Sequence, residues 1–296
     1  MTKFGFISRV LRECRFLMHI AKGGKVEIPF LVLSTGTKCS LRCRNCGNFI
    51  PYLPQTLYPI QTIRRTLGTL AEVSNIHTVQ IQGGEALLHP ELPSIVELCS
   101  GFRIPEIVVV TNGTRTMSAS LIKALTKSQA RLRISNYLLR DKQLSRLAEQ
   151  CSKAHILYEI YTFTTRDNCW IHLGGLERDR DESYDEVYQR FQECPFKGCL
   201  TLEDGILARC SRAALSPSAQ KHPVGESDYM DVRNNTSEKW QLRKRLLRYL
   251  GSDSFMEACR YCNGGNGERI PPAVQRENGK IHVDNVDHEH APSAVR

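Results

Sequence analysis

The sequence predicts an α/β chain built from βα units around a parallel sheet, with a small cysteine-bearing extension further along. Three observations carry this. Short apolar runs alternate with helical periodicity from Ile28 to Tyr161, the pattern of parallel strands joined by crossover helices. Polar or glycine-rich elements follow the C-terminal ends of the runs, where parallel α/β folds place ligands. A second cysteine group and a hairpin signal appear only after the alternation stops.

Each element has its own signal. Ile28 to Thr35 is an apolar run and the first strand. Pro59 opens a helix with Ile60, Ile63, Leu67, Leu70 and Val73 on one face. His77 to Gln82 is the second strand, ending in Gly83-Gly84-Glu85, and Leu92, Ile95, Val96 and Cys99 pattern the next helix. Glu106 to Val110 is a third strand closed by Thr111-Asn112-Gly113-Thr114, after which Ser118 or Ser120 caps a helix carrying Leu121, Ile122 and Leu125. Arg131 to Ser135 is the fourth strand, Asp141 caps the fourth helix, and His155 to Tyr161 is the fifth strand. Residues 162–182 have no clean periodicity, and Ser183 with Glu186 forms a capping box before Val187 and Phe191. Glu203-Asp204-Gly205 lies between two apolar runs as a hairpin signal, 216–235 reads as a loop, and Trp240, Leu246, Leu247 and Leu250 pattern a last helix.

Composition narrows the class. With 296 residues, 41% hydrophobic and 24% charged, the chain is long enough for one large domain and a small appendage. It has no run of 18 or more apolar residues, so no spanning helix is expected. Residues 1–27 mix basic and apolar positions as an amphipathic helix rather than a secretory signal, and a cytoplasmic location is the expectation. The net charge of +9 is spread along the chain except at Arg243-Lys244-Arg245 and Arg248, a solvated helix face, so a nucleic-acid partner is not expected. Twelve cysteines without a signal sequence point to metal-like spacings rather than disulfides. Cys14, Cys99 and Cys151 read as small core residues, and Cys169 has no assigned role.

The chemistry concentrates at Lys38-Cys39-Ser40-Leu41-Arg42-Cys43-Arg44-Asn45-Cys46-Gly47, just after the first strand. Its C-x3-C-x2-C spacing offers three thiolates and withholds a fourth: on a four-iron cubane they would leave one iron open, and half of a structural zinc site is the other reading of the same spacing. Gly83-Gly84-Glu85 stands about 40 residues later at a strand end, with two glycines permitting close backbone approach and a carboxylate able to take a charge-assisted hydrogen bond. These motifs resemble those of the radical S-adenosylmethionine (SAM) enzymes. That resemblance implies a partial (β/α) TIM-like barrel of five or six parallel strands. It implies a 4Fe–4S cluster on Cys39, Cys43 and Cys46, and SAM held by Gly83, Gly84 and Glu85, with Thr111, Asn112, Ser135 and Asn136 near its ribose or carboxylate. It also implies reductive cleavage of SAM to a 5′-deoxyadenosyl radical that abstracts hydrogen from substrate. The family residue before the third cysteine is commonly aromatic or apolar; here it is Asn45.

Cys194, Gly205 and Cys210 space as C-x10-G-x4-C, followed far downstream by Cys259-Arg260-Tyr261-Cys262. This resembles the twitch extension of radical SAM enzymes, a reduced SPASM extension. The implied unit is a C-terminal β-hairpin and helix holding an auxiliary 4Fe–4S cluster on four of Cys194, Cys199, Cys210, Cys259 and Cys262. A structural zinc on four thiolates fits the same spacing. The expected organisation is a helix over 1–27, the partial barrel over 28–190, the auxiliary unit over 191–268 and a polar, mobile tail over 269–296.

The layout is similar to that of aminocyclitol dehydrogenases, implying an oxidoreductase that takes hydrogen from a small polar substrate (a sugar, cyclitol or nucleotide sugar) and passes an electron to the auxiliary cluster. A peptide-modifying maturase is the alternative; the 27 residues ahead of the first strand are fewer than a leader-gripping domain needs. A redox-neutral epimerisation or rearrangement is a further alternative, and a zinc-stabilised binding protein requires the strand-end motifs to be coincidental. An external donor such as flavodoxin or ferredoxin is the implied partner. Tyr161, Arg166, Asp167 and His172, just past the fifth strand, are the candidates for substrate contact.

Overall fold

The computed structural model describes residues 24–174, 182–219, 225 and 228–276. The expected N-terminal helix, Cys14 and the tail beyond Arg276 lie outside these residues. The chain alternates β1 (Val26–Ser34), α1 (Ile60–Val73), β2 (Ser74–Gln82), α2 (Leu92–Gly101), β3 (Glu106–Thr111), α3 (Ala119–Lys127), β4 (Arg131–Asn136), α4 (Asp141–Lys153) and β5 (Tyr158–Thr162). There follow β6 (Trp170–Ile171), α5 (Tyr184–Gln192), β7 (Thr201–Glu203), β8 (Ile206–Ala208), α6 (Ser211–Ala219), β9 (Tyr229–Asp231), α7 (Lys239–Leu250) and β10 (Arg269–Ile270).

One sheet of eight strands runs β5-β4-β3-β2-β1-β7-β8-β9. Every pair from β5 through β1 to β7 is parallel, and β7-β8 and β8-β9 are antiparallel. This is a partial barrel with helices on its outer side, as the alternation predicts. Leu33, Ile81, Val109 and Leu132 from the strands meet Leu67, Leu70, Ile95, Leu125 and Leu147 from the helices in one core. Leu67 and Leu70 are 0% exposed, so truncating either to Ala costs about 2–5 kcal/mol.

Local signals act as chemistry requires. Pro59 stands directly before α1, the Ser118 hydroxyl accepts from the Leu121 N–H, and the Ser183–Glu186 capping box is complete. Asp141 is the first residue of α4 rather than its cap, where its charge favours the helix dipole. Asp204 and Gly205 both adopt positive φ, 45° and 79°, the tight hairpin turn their identities predict.

The structure differs from expectation in three further places. The sixth parallel strand is β7, the first hairpin strand, docked against β1 through Val32↔Thr201 and Leu33↔Leu202. The hairpin therefore continues the barrel sheet, and β9 extends it from within the stretch read as loop. Beyond β5 the chain has no apolar run long enough to prolong the sheet, and β6 pairs instead with β10. Finally, of the residues assigned to the tail, 273–276 lie against the cysteine loop. Cys43 bridges Gln275, the Arg44 N–H donates to the Val274 carbonyl (2.7 Å), and the Arg276 N–H donates to the Arg42 carbonyl (2.9 Å).

Candidate functional site

The cysteine loop leaves the C-terminal end of β1 and is held down by the end of β2. The Gly84 N–H donates to the Gly36 carbonyl and the Glu85 N–H to the Lys38 carbonyl, both at 2.9 Å. A Cβ on Gly84 would stand 2.4 Å from the Lys38 carbonyl oxygen, and one on Gly83 2.6 Å from that of Gly36. The glycines thus admit the backbone of the cysteine loop itself, a closer neighbour than the ligand that sequence reasoning supposed.

Glu85 is 2% exposed. Its Oε1 accepts from the Thr111 hydroxyl (2.7 Å) and the Leu87 N–H (3.0 Å), and its Oε2 accepts from the Asn112 N–H (2.7 Å). Burial pushes its pKa up, against the three donors. A carboxylate offers about four acceptor positions, so one donor more fits at Oε2. Glu85 therefore ties β2 to β3 and keeps room for a single cationic or N–H group. Asn112 reaches the other way: its Nδ2 donates to Ser40 Oγ (3.0 Å) and to Cys39 Sγ (3.7 Å), while Ser40 Oγ is hydrogen bonded to Thr114 Oγ1 (2.6 Å). Thr111 is buried, whereas Asn112 and Asn136 line a small cleft with Thr114, Tyr137 and Arg140 at the ends of β3 and β4. Ser135 is half-exposed on β4 and does not line it.

Cys39, Cys43 and Cys46 pack with Leu41, Ala273, Tyr137 and Trp170 in one apolar cluster. Burial raises all three thiols, Cys39 to about 11 and Cys43 to about 12, and their mutual repulsion adds to the rise for Cys39 and Cys43. Each sulfur also faces N–H donors. The Leu41 N–H (3.4 Å) and Asn112 reach Cys39, Gln275 Nε2 (3.4 Å) reaches Cys43, and the N–H groups of Ile50 and Asn48 reach Cys46. Tyr137 meets Phe163 (5.1 Å) and, edge-on, Trp170 (5.5 Å). These aromatics stand beside the thiols although Asn45 is not aromatic.

The five later cysteines differ in their electrostatic neighbours. Cys210 feels the charges of Cys262 and Cys194, and Cys259 those of Cys210, Cys262 and Cys194; Cys199 feels Cys194 alone. Burial is the first cause of the raised thiol pKa of Cys194, Cys199, Cys210 and Cys259, to about 11 for Cys210 and about 12 for Cys259. The Gly264 N–H donates to Cys262 Sγ (3.3 Å), and backbone N–H groups of Phe196 and Lys197 reach Cys194. Arg212 joins the two regions: its guanidinium lies 4.1 Å over the Phe49 ring and donates to the Tyr261 carbonyl (3.2 Å). A cleft of about 550 Å³ opens beside this group, lined by Asp185, Glu186, Gln189, Arg190, Glu193, Asn263 and Asn266, away from the strand ends.

Among the described residues, no three His, Cys, Asp or Glu side chains are gathered as a single metal ion would hold them. A tetrahedral zinc with Zn–S of about 2.3 Å needs such gathering, and a four-iron cluster spreads its thiolates wider. The case for either cysteine group rests on shared burial, coupling and N–H donors to sulfur.

The substrate candidates separate. Tyr161 lies on the open face of the sheet with Arg133 over its ring at 5.3 Å. Arg166 and Asp167 sit on an exposed turn whose N–H groups bond Thr164 Oγ1, because the chain must reverse after β5. His172 follows β6 and is tied to Asn263, whose Nδ2 donates to the His172 carbonyl (2.7 Å), so it belongs beside Cys262 rather than at the strand ends. Two residues that sequence reasoning missed are Tyr137, which directly follows Ser135-Asn136, and Gln275, for which no local signal exists. A third is Glu203 on β7: buried, it accepts from the hydroxyls of Tyr58 and Ser34, and burial lifts its pKa to about 7.

Residues 33–136 match the Radical SAM superfamily. No curated protein matches the chain. Among solved structures, anSMEcpe with bound AdoMet aligns at TM-score 0.50 and 13% identity over 84% of this chain and 92% of that one. BtrN in complex with AdoMet and 2-DOIA aligns at TM-score 0.42 and 14% identity, covering 83% and 98%. SuiB of Streptococcus suis aligns at TM-score 0.40 and 16% identity over 64% of this chain, which spans only 42% of SuiB. At these identities the anSMEcpe likeness speaks to the fold alone, and the other two carry no argument. The family implies a 4Fe–4S cluster and SAM, and three coupled thiols under N–H donors, with no fourth thiol coupled to them among the described residues, fit that cluster.

Proposed function

From the premise that the chain carries a radical SAM domain, we propose that it oxidises a small polar substrate by hydrogen-atom abstraction. Cys39, Cys43 and Cys46 would hold the cluster, and the end of β2 with Glu85 would orient SAM. When bound, the reduced cluster would supply one electron to SAM, releasing methionine and a 5′-deoxyadenosyl radical that takes hydrogen from substrate. The protein's own part is to bury the thiols, direct N–H groups at their sulfurs, and surround them with Leu41, Tyr137 and Trp170. N–H donors to sulfur stabilise negative charge there and so favour the reduced state. Cys194, Cys210, Cys259 and Cys262 would hold a second cluster, the acceptor for the electron released when the substrate radical's hydroxyl gives its proton to solvent and becomes a carbonyl. An external donor of the flavodoxin or ferredoxin type would supply the initiating electron.

The observation that carries this reading is the meeting of the three thiols, Glu85 and Asn112 at one edge of a parallel sheet. Iron and sulfide content after anaerobic reconstitution tests it, on wild type and on Cys39→Ala/Cys43→Ala/Cys46→Ala. About eight irons falling to about four supports both sites. About four falling to none removes the auxiliary cluster and with it the oxidation, leaving a redox-neutral catalyst. No iron in either protein sinks the reading.

A peptide substrate is the second reading, favoured by the outer edge of β5. Leu157 is 74% exposed and Ile160 41%, and an extended peptide can add to such an edge.

A further inference from the structure

The sheet has two unlike faces. Leu33, Ile81, Val109, Leu132 and Ile134 point to the helices and are buried. Strand alternation puts their neighbours on the opposite face, and over β2, β4 and β5 these are Gln80, Gln82, Arg133, Glu159 and Tyr161. The ladder sets Arg133 beside Glu159 and Ser135 beside Tyr161.

The side chains form one hydrogen-bonded row. Gln80 Nε2 donates to Gln82 Oε1 (2.7 Å), Arg133 Nη1 to Gln80 Oε1 (2.8 Å), Arg133 Nε to Glu159 Oε1 (2.6 Å), and the Tyr161 hydroxyl to Glu159 Oε2 (3.3 Å). The guanidinium is thus fixed on two sides and stacked on Tyr161, a preorganised fork. Its Nη2 and the Nε2 of Gln82 donate to nothing among the described residues, and Glu159 Oε2 retains acceptor capacity. Arg133 and Glu159 side chains are 30% and 31% exposed, so these groups meet solvent.

Position and charge say what they meet. Gln82 is followed at once by Gly83-Gly84, which pack on the cysteine loop, and Ser135, two residues beyond Arg133 on the same face, stands in register with Tyr161 near the end of β4. The charges balance: Arg133 pairs with Glu159, and Arg131 with Glu106 lower on the same face. A phosphate-bearing ligand calls for unpaired positive charge. A hydroxyl both donates and accepts, and so suits a row offering free donors beside a free acceptor.

We infer that Gln82, Arg133, Glu159 and Tyr161 form the binding site for a neutral polyol, a sugar or cyclitol with free vicinal hydroxyls. The proposed function is needed to place this site beside the reacting cofactor, not for the binding itself.

The test uses anaerobically reconstituted protein with SAM and glucose and myo-inositol as probes, read by saturation-transfer NMR and competition with glucose 6-phosphate. Both neutral probes receive transfer from wild type, and their affinity falls by about tenfold or more in Arg133→Lys and Glu159→Gln, the loss of a hydrogen bond to a charged group. Absence of transfer in wild type, or unchanged affinity in both variants, overturns the inference. So does glucose 6-phosphate binding about tenfold tighter than glucose to wild type, a comparison that needs no variant to fold. Iron content and SAM cleavage on the same sample report separately on the radical reading: polyol binding without iron would sink that reading and leave this one standing.

Discussion

Replacing Gly84 by alanine tests whether the cysteine loop is seated by backbone contact. The added Cβ would stand 2.4 Å from the Lys38 carbonyl oxygen, 2.6 Å from its carbon and 2.8 Å from the Thr37 carbonyl oxygen. Ordinary C···O contact begins near 3.3 Å, so the loop must retreat by about 1 Å. All three atoms are backbone, and no side chain can swing aside instead. Overpacking of this kind costs about 1–3 kcal/mol. The retreat also strains the Gly84–Gly36 and Glu85–Lys38 hydrogen bonds, both 2.9 Å, each contributing about 0.5–1.5 kcal/mol. The expected loss is then about 2–6 kcal/mol, with reduced iron per chain after reconstitution. Gly101, the last residue of α2, has nothing within 4 Å of where an added Cβ would stand. Gly101→Ala should be neutral or stabilising by up to about 1 kcal/mol. Urea unfolding followed by circular dichroism measures both. If Gly84→Ala unfolds at the midpoint of Gly101→Ala and binds wild-type iron, the seating of the loop does not depend on that contact.

Three other outcomes are expected. Cys194→Ser should lose the auxiliary iron while Cys199→Ser keeps it, as read by iron content and electron paramagnetic resonance, because Cys194 couples with Cys210, Cys259 and Cys262 whereas Cys199 couples with Cys194 only. Glu203, with its folded pKa raised from 4.5 to about 7, contributes stability that is full below about pH 4.5 and is lost as pH rises through about 7, on the order of 3 kcal/mol; Glu203→Gln should flatten this slope in urea titrations at pH 5 and pH 8. Gln275→Leu removes an N–H donor from Cys43 and should lower the reduction potential of the reconstituted cluster; a redox titration showing no change would mean that the contact is only structural.

The strands, helices and caps were legible because their causes are local: apolar period, Pro59, Ser118, and the Asp204-Gly205 turn. The three-cysteine motif and Gly83-Gly84-Glu85 were legible because spacing places them at strand ends. What escaped depends on distant pairing. Nothing near Thr201 says that its strand docks beside Val32, and nothing near Gln275 says that its amide lies against Cys43. Spacing leaves Cys194 and Cys199 both open, since both precede the hairpin by workable distances, and the iron content of the two variants decides between them. Arg166, Asp167 and His172 followed a strand end as a binding residue would, yet the turn at Thr164 and the tie to Asn263 direct them elsewhere. Arg133 went unread because a strand arginine looks like any solvated surface charge until its neighbours Gln80 and Glu159 are known.

The segment 273–276 that closes over the cysteine loop has a consequence for biosynthesis. Gln275 and Cys43 are 232 residues apart in sequence. At translation rates of about 5–20 residues per second, the loop leaves the ribosome roughly 12–46 s before its cover is made. Throughout that interval Cys43 lacks the segment that bridges to it in the finished protein. Delivery of iron and sulfide thus has a period of open access set by the speed of translation, after which the arriving segment seals the loop from one side.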